Sequence, residues 1–409
     1  MTSTNQTQHG QTAVRRLPLP EFVAMLAVLF ATVAFSIDAM LPAMSEIATE
    51  LSPQDTNRAQ LVLMMFMAGM GVGTAVAGPV SDAIGRKPTI MLGSTLYIAA
   101  AAGAIFADSL TLLLALRFVQ GMGAAGPRIA GTALIRDLYA GREMARITSF
   151  VMMIFIMIPA VAPALGEVII DAAGTWRAVF AAFIVFGLVG VIWVWLRQSE
   201  TLPRERRVPL SGERLISSAT EILENRQVML CTLVLTLGFG QMFALLSSSE
   251  QLFDQAYGRA DSFTKWFALM ALLSGIGTIA NARYVMRYGM RRIARAAYAM
   301  QIVSASLGLL LVASGALHGD AAFYGFFAWA VSVFFMAGVT FGNLNALAMQ
   351  NMPHLAGMTA SIVAALSTLG AVIIATPVGL AFRGAPTPMM LAALVCSSLA
   401  WFLMGKLRD

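Results

Sequence analysis

A chain of 409 residues that is 58% apolar and 12% charged, with 27 Met, 24 Phe and a mean hydropathy of +0.76, carries more apolar surface than a soluble core of this size can hide. A soluble fold is therefore excluded. The net charge of +6 (pI about 9.7) is dispersed over separate loops, which argues against nucleic-acid binding, and Cys231 and Cys396 sit in separate apolar runs, which gives no disulfide framework and no metal-ligand spacing.

The apolar runs predict an all-α membrane protein with twelve transmembrane helices near 21–43, 58–80, 89–107, 110–135, 146–170, 177–197, 227–250, 263–285, 293–315, 321–349, 356–382 and 387–405. Continuously apolar stretches such as 307–312 do not fit the alternation of barrel strands. Residues 1–19 form a tail in which Arg15 and Arg16 precede the first run, as in a signal peptide. That run is too long, however, carries Asp38 and lacks a small-residue cleavage site, so it is expected to remain in the protein.

In chain order, the first informative segment is Phe35-Ser-Ile-Asp-Ala-Met-Leu-Pro42, which puts Asp38 inside the first span. Between spans two and three lies Gly78-Pro-Val-Ser-Asp-Ala-Ile-Gly-Arg-Lys-Pro88: Gly78 and Gly85 permit a tight reversal, while Asp82, Arg86 and Lys87 supply charge. Span four holds Arg117-Phe-Val-Gln-Gly121 and, further on, Pro127-Arg128. Its Gly121-Met-Gly-Ala-Ala-Gly126 matches a dinucleotide-binding pattern, but it follows no strand and is read as a helix-packing surface. Span five contains Pro159, Pro163 and Gly166, and Trp176-Arg177 opens span six.

The longest polar break, 198–226, separates six-span halves at 20–197 and 227–409. Within it Leu215, Ile216, Ala219, Ile222 and Leu223 recur at helical spacing; the segment is either an amphipathic helix on the membrane face or a solvated connector. Tyr284-Val-Met-Arg-Tyr-Gly-Met-Arg-Arg292 is a worn copy of the 78–88 loop with Met286 in place of Asp82, which points to duplicated, pseudo-symmetric six-helix bundles. Ala356-Gly-Met-Thr-Ala-Ser361 opens span eleven.

The Lys and Arg residues set the expected orientation. Apart from Arg117 and Arg128 inside span four, only Arg58, Arg177, Arg259, Lys265 and Arg383 fall on the side away from the termini, so both termini are expected in the cytoplasm.

The 78–88 loop resembles the signature loop of the major facilitator superfamily, and Arg117 to Gly121 resembles the span-four motif of its proton-coupled members. Pro159 to Gly166 is similar to the span-five motif of the antiporter branch, and the segments at 35–42, 176–177 and 356–361 resemble the bicyclomycin and chloramphenicol resistance (Bcr/CflA) branch. Two departures stand out. Glu167 replaces the second Gly of the span-five motif, and Arg128 sits one turn before the usual late span-four Arg, near Thr132.

The resemblance implies a monomeric proton-coupled drug exporter of a bacterial inner membrane, driven by the proton gradient without a cofactor. Its partners would be a small-molecule substrate, protons and the lipid bilayer. It also implies that Gly78, Asp82, Gly85, Arg86 and Lys87 form a conformational latch, with Asp82 bonding a helix end or an Arg across the seam between halves. An exporter of one metabolite, such as an amino acid derivative or siderophore, and a non-transporting receptor or scaffold are the alternatives.

Ionised groups in lipid are costly, so Asp38 and Arg117 are the leading functional candidates. Asp38 lies ~26 Å and Arg117 ~18 Å from the inner face. Either Asp38 exchanges a proton under the influence of Arg117, or the two are a permanent ion pair. Arg128 either snorkels toward the cytoplasm or pairs with a carboxylate as an inner gate. Glu167 and Glu250, near outer span ends, are expected to be solvated at the interface. Phe35, Gln120, Arg128, Gln241, Asn343 and Asn345 are candidates for the substrate cavity, with helix-to-helix hydrogen bonds as the competing role of such polar groups.

Overall fold

A computed structural model describes residues 16–350 and 352–407; Arg15, the start of the tail and Arg408 lie outside them. Among the described residues there is no strand, and twelve helices are long and apolar enough to cross a membrane. The first bundle comprises α1 (Leu19–Asp38), the short α2 (Met44–Leu51), α3 (Leu61–Ile84), α4 (Arg86–Ile105), α5 (Leu110–Leu138), α6 (Gly141–Ala173) and α7 (Arg177–Arg197). After the linker helix α8 (Gly212–Glu224), the second bundle comprises α9 (Arg226–Gln251), α10 (Phe263–Tyr288), α11 (Met290–Ser314), α12 (Gly319–Gln350), α13 (Ala356–Leu380) and α14 (Thr387–Lys406).

Several helices run past their apolar stretches. The run at 146–170 lies inside α6, whose ends carry Arg142, Glu143, Arg146 and Asp171. Backbone hydrogen bonding continues where hydropathy has already fallen, because a helix gains one bond per added residue.

The first span differs more: instead of one helix over 21–43, α1 stops at Asp38 and a 3-10 turn, Leu41–Ala43, leads into α2. Pro42 is the reason. It stands four residues after Asp38 and has no N–H to give the Asp38 carbonyl, so the α-helical ladder cannot continue.

The bundles repeat each other's packing. In the first, α1 packs on α6, α3 on α5, α4 on α5 and α4 on α7; in the second, α9 packs on α13, α10 on α12, α11 on α12 and α11 on α14. Between bundles α3 lies along α13 and α6 along α10, which makes the seam.

Close packing inside the first bundle rests on glycine. A Cβ on Gly121 would stand 2.0 Å from the Phe66 carbonyl oxygen, and one on Gly123 would stand 2.5 Å from the Tyr97 nitrogen. The Gly121–Gly126 stretch thus packs α5 against α3 and α4 within a helix, which leaves no loop for a nucleotide phosphate.

In the linker, α8 buries Ile222 against Val228, Cys231 and Met352 of the second bundle, while Ile216 and Leu223 stay exposed. His354 and Glu221 meet at 2.8 Å.

Candidate functional site

Arg117 is fully buried, and each of its three nitrogens has an acceptor. Its Nε donates to the Val62 carbonyl at 3.3 Å, one terminal nitrogen to Gln120 Oε1 at 2.8 Å and the other to the Ser36 carbonyl at 3.0 Å. The guanidinium lies 4.4 Å from the Phe66 ring centroid, with Phe180 and Phe183 beyond. One side chain thereby ties α1, α3 and α5 together against α7. The Tyr97 and Ser36 hydroxyls, 2.6 Å apart, add α4 to the same knot.

Asp38 sits two residues beyond the carbonyl that Arg117 holds, but no ion pair joins the two. Asp38 is 5% exposed, and its carboxyl has no hydrogen-bond or ion-pair partner among the described residues. A permanent Asp38–Arg117 pair is therefore not present among the described residues, where each of the three guanidinium nitrogens donates to a neutral oxygen instead. One turn earlier, Phe35 packs edge-on against Phe183 and also against Phe186 of α7, with centroids 5.5 and 5.3 Å away.

The 78–88 loop closes on its own bundle and the linker. Arg86 donates to Asp82 at 2.5 Å, to Asp137 at the end of α5 at 2.9 Å and to Ser81 at 3.1 Å. Lys87 Nζ donates to the Trp195 carbonyl at 2.8 Å, and Val208 of the linker donates its N–H to the Asp82 carbonyl. No described hydrogen bond takes Asp82 across the seam, since its own Arg86 occupies it. What does meet there is Gly78, facing the Ser361 hydroxyl of the span-eleven segment: a Cβ on Gly78 would stand 3.2 Å from it.

Glu200, in the polar linker, is a member of this cluster that sequence reading missed. Its carboxylate accepts the N–H groups of Arg86 and Lys87 at the start of α4, at 3.0 and 3.1 Å, where a helix end favours negative charge. Gly85 joins α3 to α4 with φ of 111°, and a Cβ there would lie 2.4 Å from Glu200 Oε2. Gly85→Ala is expected to cost about 1–3 kcal/mol through backbone strain alone. Thermal unfolding of the purified variant checks this, and Glu200→Ala in the same background should relieve only the side-chain contact.

The worn second copy keeps the same mechanics. Gly289 has φ of 84° between α10 and α11, and Arg291 donates to the Met404 and Gly405 carbonyls at the end of α14, as Lys87 does to the end of α7.

Away from the linker, the bundles are stitched directly. Ser45 donates to Glu250 at 2.5 Å and Thr264 to Glu167 at 2.7 Å, so each bundle gives one hydroxyl and one carboxylate. Gln60 donates to Gln251 at 2.6 Å and accepts from Ser248 at 2.9 Å, and Asn57 donates to the Phe382 carbonyl at 2.8 Å. The expectation of solvated Glu167 and Glu250 is thus corrected, since Glu250 is 8% exposed and both carboxylates accept from the opposite bundle. Gly166 lies just before this seam, where a Cβ would stand 2.2 Å from the Ala39 carbonyl. Both prolines of its motif, Pro159 and Pro163, lie within α6. Trp176 and Arg177 brace α2 by donating to Glu46 and Glu50.

The polar cavity candidates divide. Gln241 accepts from Ser397 of α14 at 3.1 Å, and Asn343 donates to Asn281 of α10 at 2.7 Å, so both make helix-to-helix bonds inside the second bundle. Among the described residues Asn345 bonds only the Phe341 carbonyl of its own helix, and Gln120 serves Arg117. Arg128 makes no contact with a carboxylate among the described residues, so an inner-gate ion pair is not formed there.

Residues 25–375 match the profile of the Major Facilitator Superfamily. The chain belongs to that superfamily. It is 29% identical to an uncharacterized MFS-type transporter, YdgK, of Bacillus subtilis over 98% of both chains, and 28% identical to a bicyclomycin resistance protein homolog of Haemophilus influenzae over 94% of this chain and 96% of the other. A solved D-xylose-proton symporter shares its fold, with a TM-score of 0.74, 13% identity and coverage of 95% and 98%. As a major facilitator it is a multi-pass membrane transporter of small molecules, not an enzyme.

Proposed function

We propose that this transporter exports small amphipathic molecules in exchange for protons, by rocking its two bundles around a central site. Asp38 carries the reading. An isolated buried carboxylate is costly, and taking up a proton removes the cost, so its charge state can be made to depend on which side of the membrane it faces. The name of the Haemophilus influenzae relative, a bicyclomycin resistance protein homolog, supports drug efflux. The hydrogen-bonded seam is then the closed outer gate, and the linker side, which holds most of the Lys and Arg, is the cytoplasmic face of a bacterial inner membrane. The loop at Gly78, Asp82, Gly85, Arg86 and Lys87 acts as the latch of the opposite gate, and the protein works as a monomer.

Purified protein in weak buffer tests the exchange. Adding a transported ligand is expected to release protons, at most about one per molecule if Asp38 is the sole carrier. A panel of unrelated ligands in proteoliposomes with an imposed pH gradient separates broad export from export of one metabolite. Absence of both proton release and gradient-driven movement across the panel would remove the proposal.

A further inference from the structure

Arg128 is a half-buried cation that the packing of the first bundle does not use. It lies in the body of α5, ten residues before the helix end at Leu138, or about 15 Å along the axis. Its guanidinium reaches Met70 Sδ of α3 at 4.0 Å, a weak acceptor, and no other side-chain acceptor is present among the described residues. Arg117 has three oxygen acceptors and Arg86 has three; Arg128 has none.

Direction decides between surface solvation and a site. Met70 packs beside Gly121, where a Cβ would stand 2.8 Å from the Met70 nitrogen, and Gly121 is seven residues nearer the far end of α5 than Arg128. The side chain therefore leads away from the linker side, toward the middle of the span, as side chains tilted toward a helix N-terminus do. That overturns snorkelling, which would carry the charge toward the linker side. A cation aimed into the span without a counter-charge needs either water or an anion brought by a ligand.

We infer that Arg128 is a subsite for an anionic oxygen of the transported molecule, so that the preferred substrates are amphiphiles bearing a carboxylate or a similar oxyanion. The inference names the substrate class within the export reading above and rests on it. An arginine suits this role because its planar fork pairs with two oxygens at once.

The test uses three dansyl probes that differ in charge: dansylglycine, its methyl ester and dansylcadaverine. Each is titrated by fluorescence against purified full-length protein with no gradient imposed. Wild type is expected to bind the acid about tenfold more tightly than the ester. Arg128→Gln should erase that preference while leaving the cationic probe unchanged, and Arg128→Lys should keep part of it. Equal binding of acid and ester by wild type, failure to bind the acid, or an intact preference in Arg128→Gln would overturn the inference. An acid preference lost in Arg128→Gln stands even where no proton exchange is found, whereas gradient-driven transport without any acid preference leaves the export reading intact and removes this one.

Discussion

Asp38→Asn protein in proteoliposomes is expected to bind substrate as wild type does and to move it roughly a hundredfold more slowly under a pH gradient. Asn matches the carboxyl in size and cannot take up or release a proton. Because Asp38 has no hydrogen-bond or ion-pair partner among the described residues, the change orphans no neighbour there, and stability should alter by less than about 1 kcal/mol. Normal melting combined with lost coupling is the signature of a proton carrier. Undiminished gradient-driven transport by the Asn variant would sink the role.

Arg117→Met should fail differently, through folding. Three oxygens from three different segments lose their donor: the Val62 carbonyl, the Ser36 carbonyl and Gln120 Oε1. Each hydrogen bond to a charged group is worth about 1.5–3 kcal/mol, so the loss should reach about 3–5 kcal/mol even after repacking. Arg117→Lys should recover only part, because a single ammonium cannot span acceptors on α1, α3 and its own helix. Thermal unfolding in detergent measures both. If Arg117→Met melts like wild type yet loses proton coupling, Arg117 belongs to the coupling site after all.

The twelve crossings were legible because lipid demands long apolar runs, and the duplicated halves because Gly85 and Gly289 both sit where the backbone needs positive φ. The break in the first span was legible in principle, since Pro42 four residues after Asp38 forbids that hydrogen bond. Hydropathy does not register it, because Pro42 lies among apolar neighbours. Partners were much harder to read. Arg117 and Asp38 are the obvious opposite charges in adjacent spans, yet the arginine prefers backbone oxygens that no sequence pattern marks. Glu200 caps α4 from 114 residues away, and the Gln60–Gln251 bond spans 191. Gln241 and Asn343 are polar for reasons internal to the second bundle, which their spacing does not distinguish from a substrate wall.

The stitched seam also has an electrical character. Its cross-bundle contacts are hydroxyl and amide donors meeting carboxylates, amides and carbonyls, while the ion pairs nearby stay inside single bundles: Arg177 with Glu50 in the first, Arg259 with Asp320 in the second. Salt screens attraction between exposed opposite charges, but it has little purchase on buried bonds between a neutral donor and its acceptor. The balance between shut and open forms at that end should therefore change little between dilute and saline solution, so a gate built this way keeps its set point whatever the ionic strength on the side it faces.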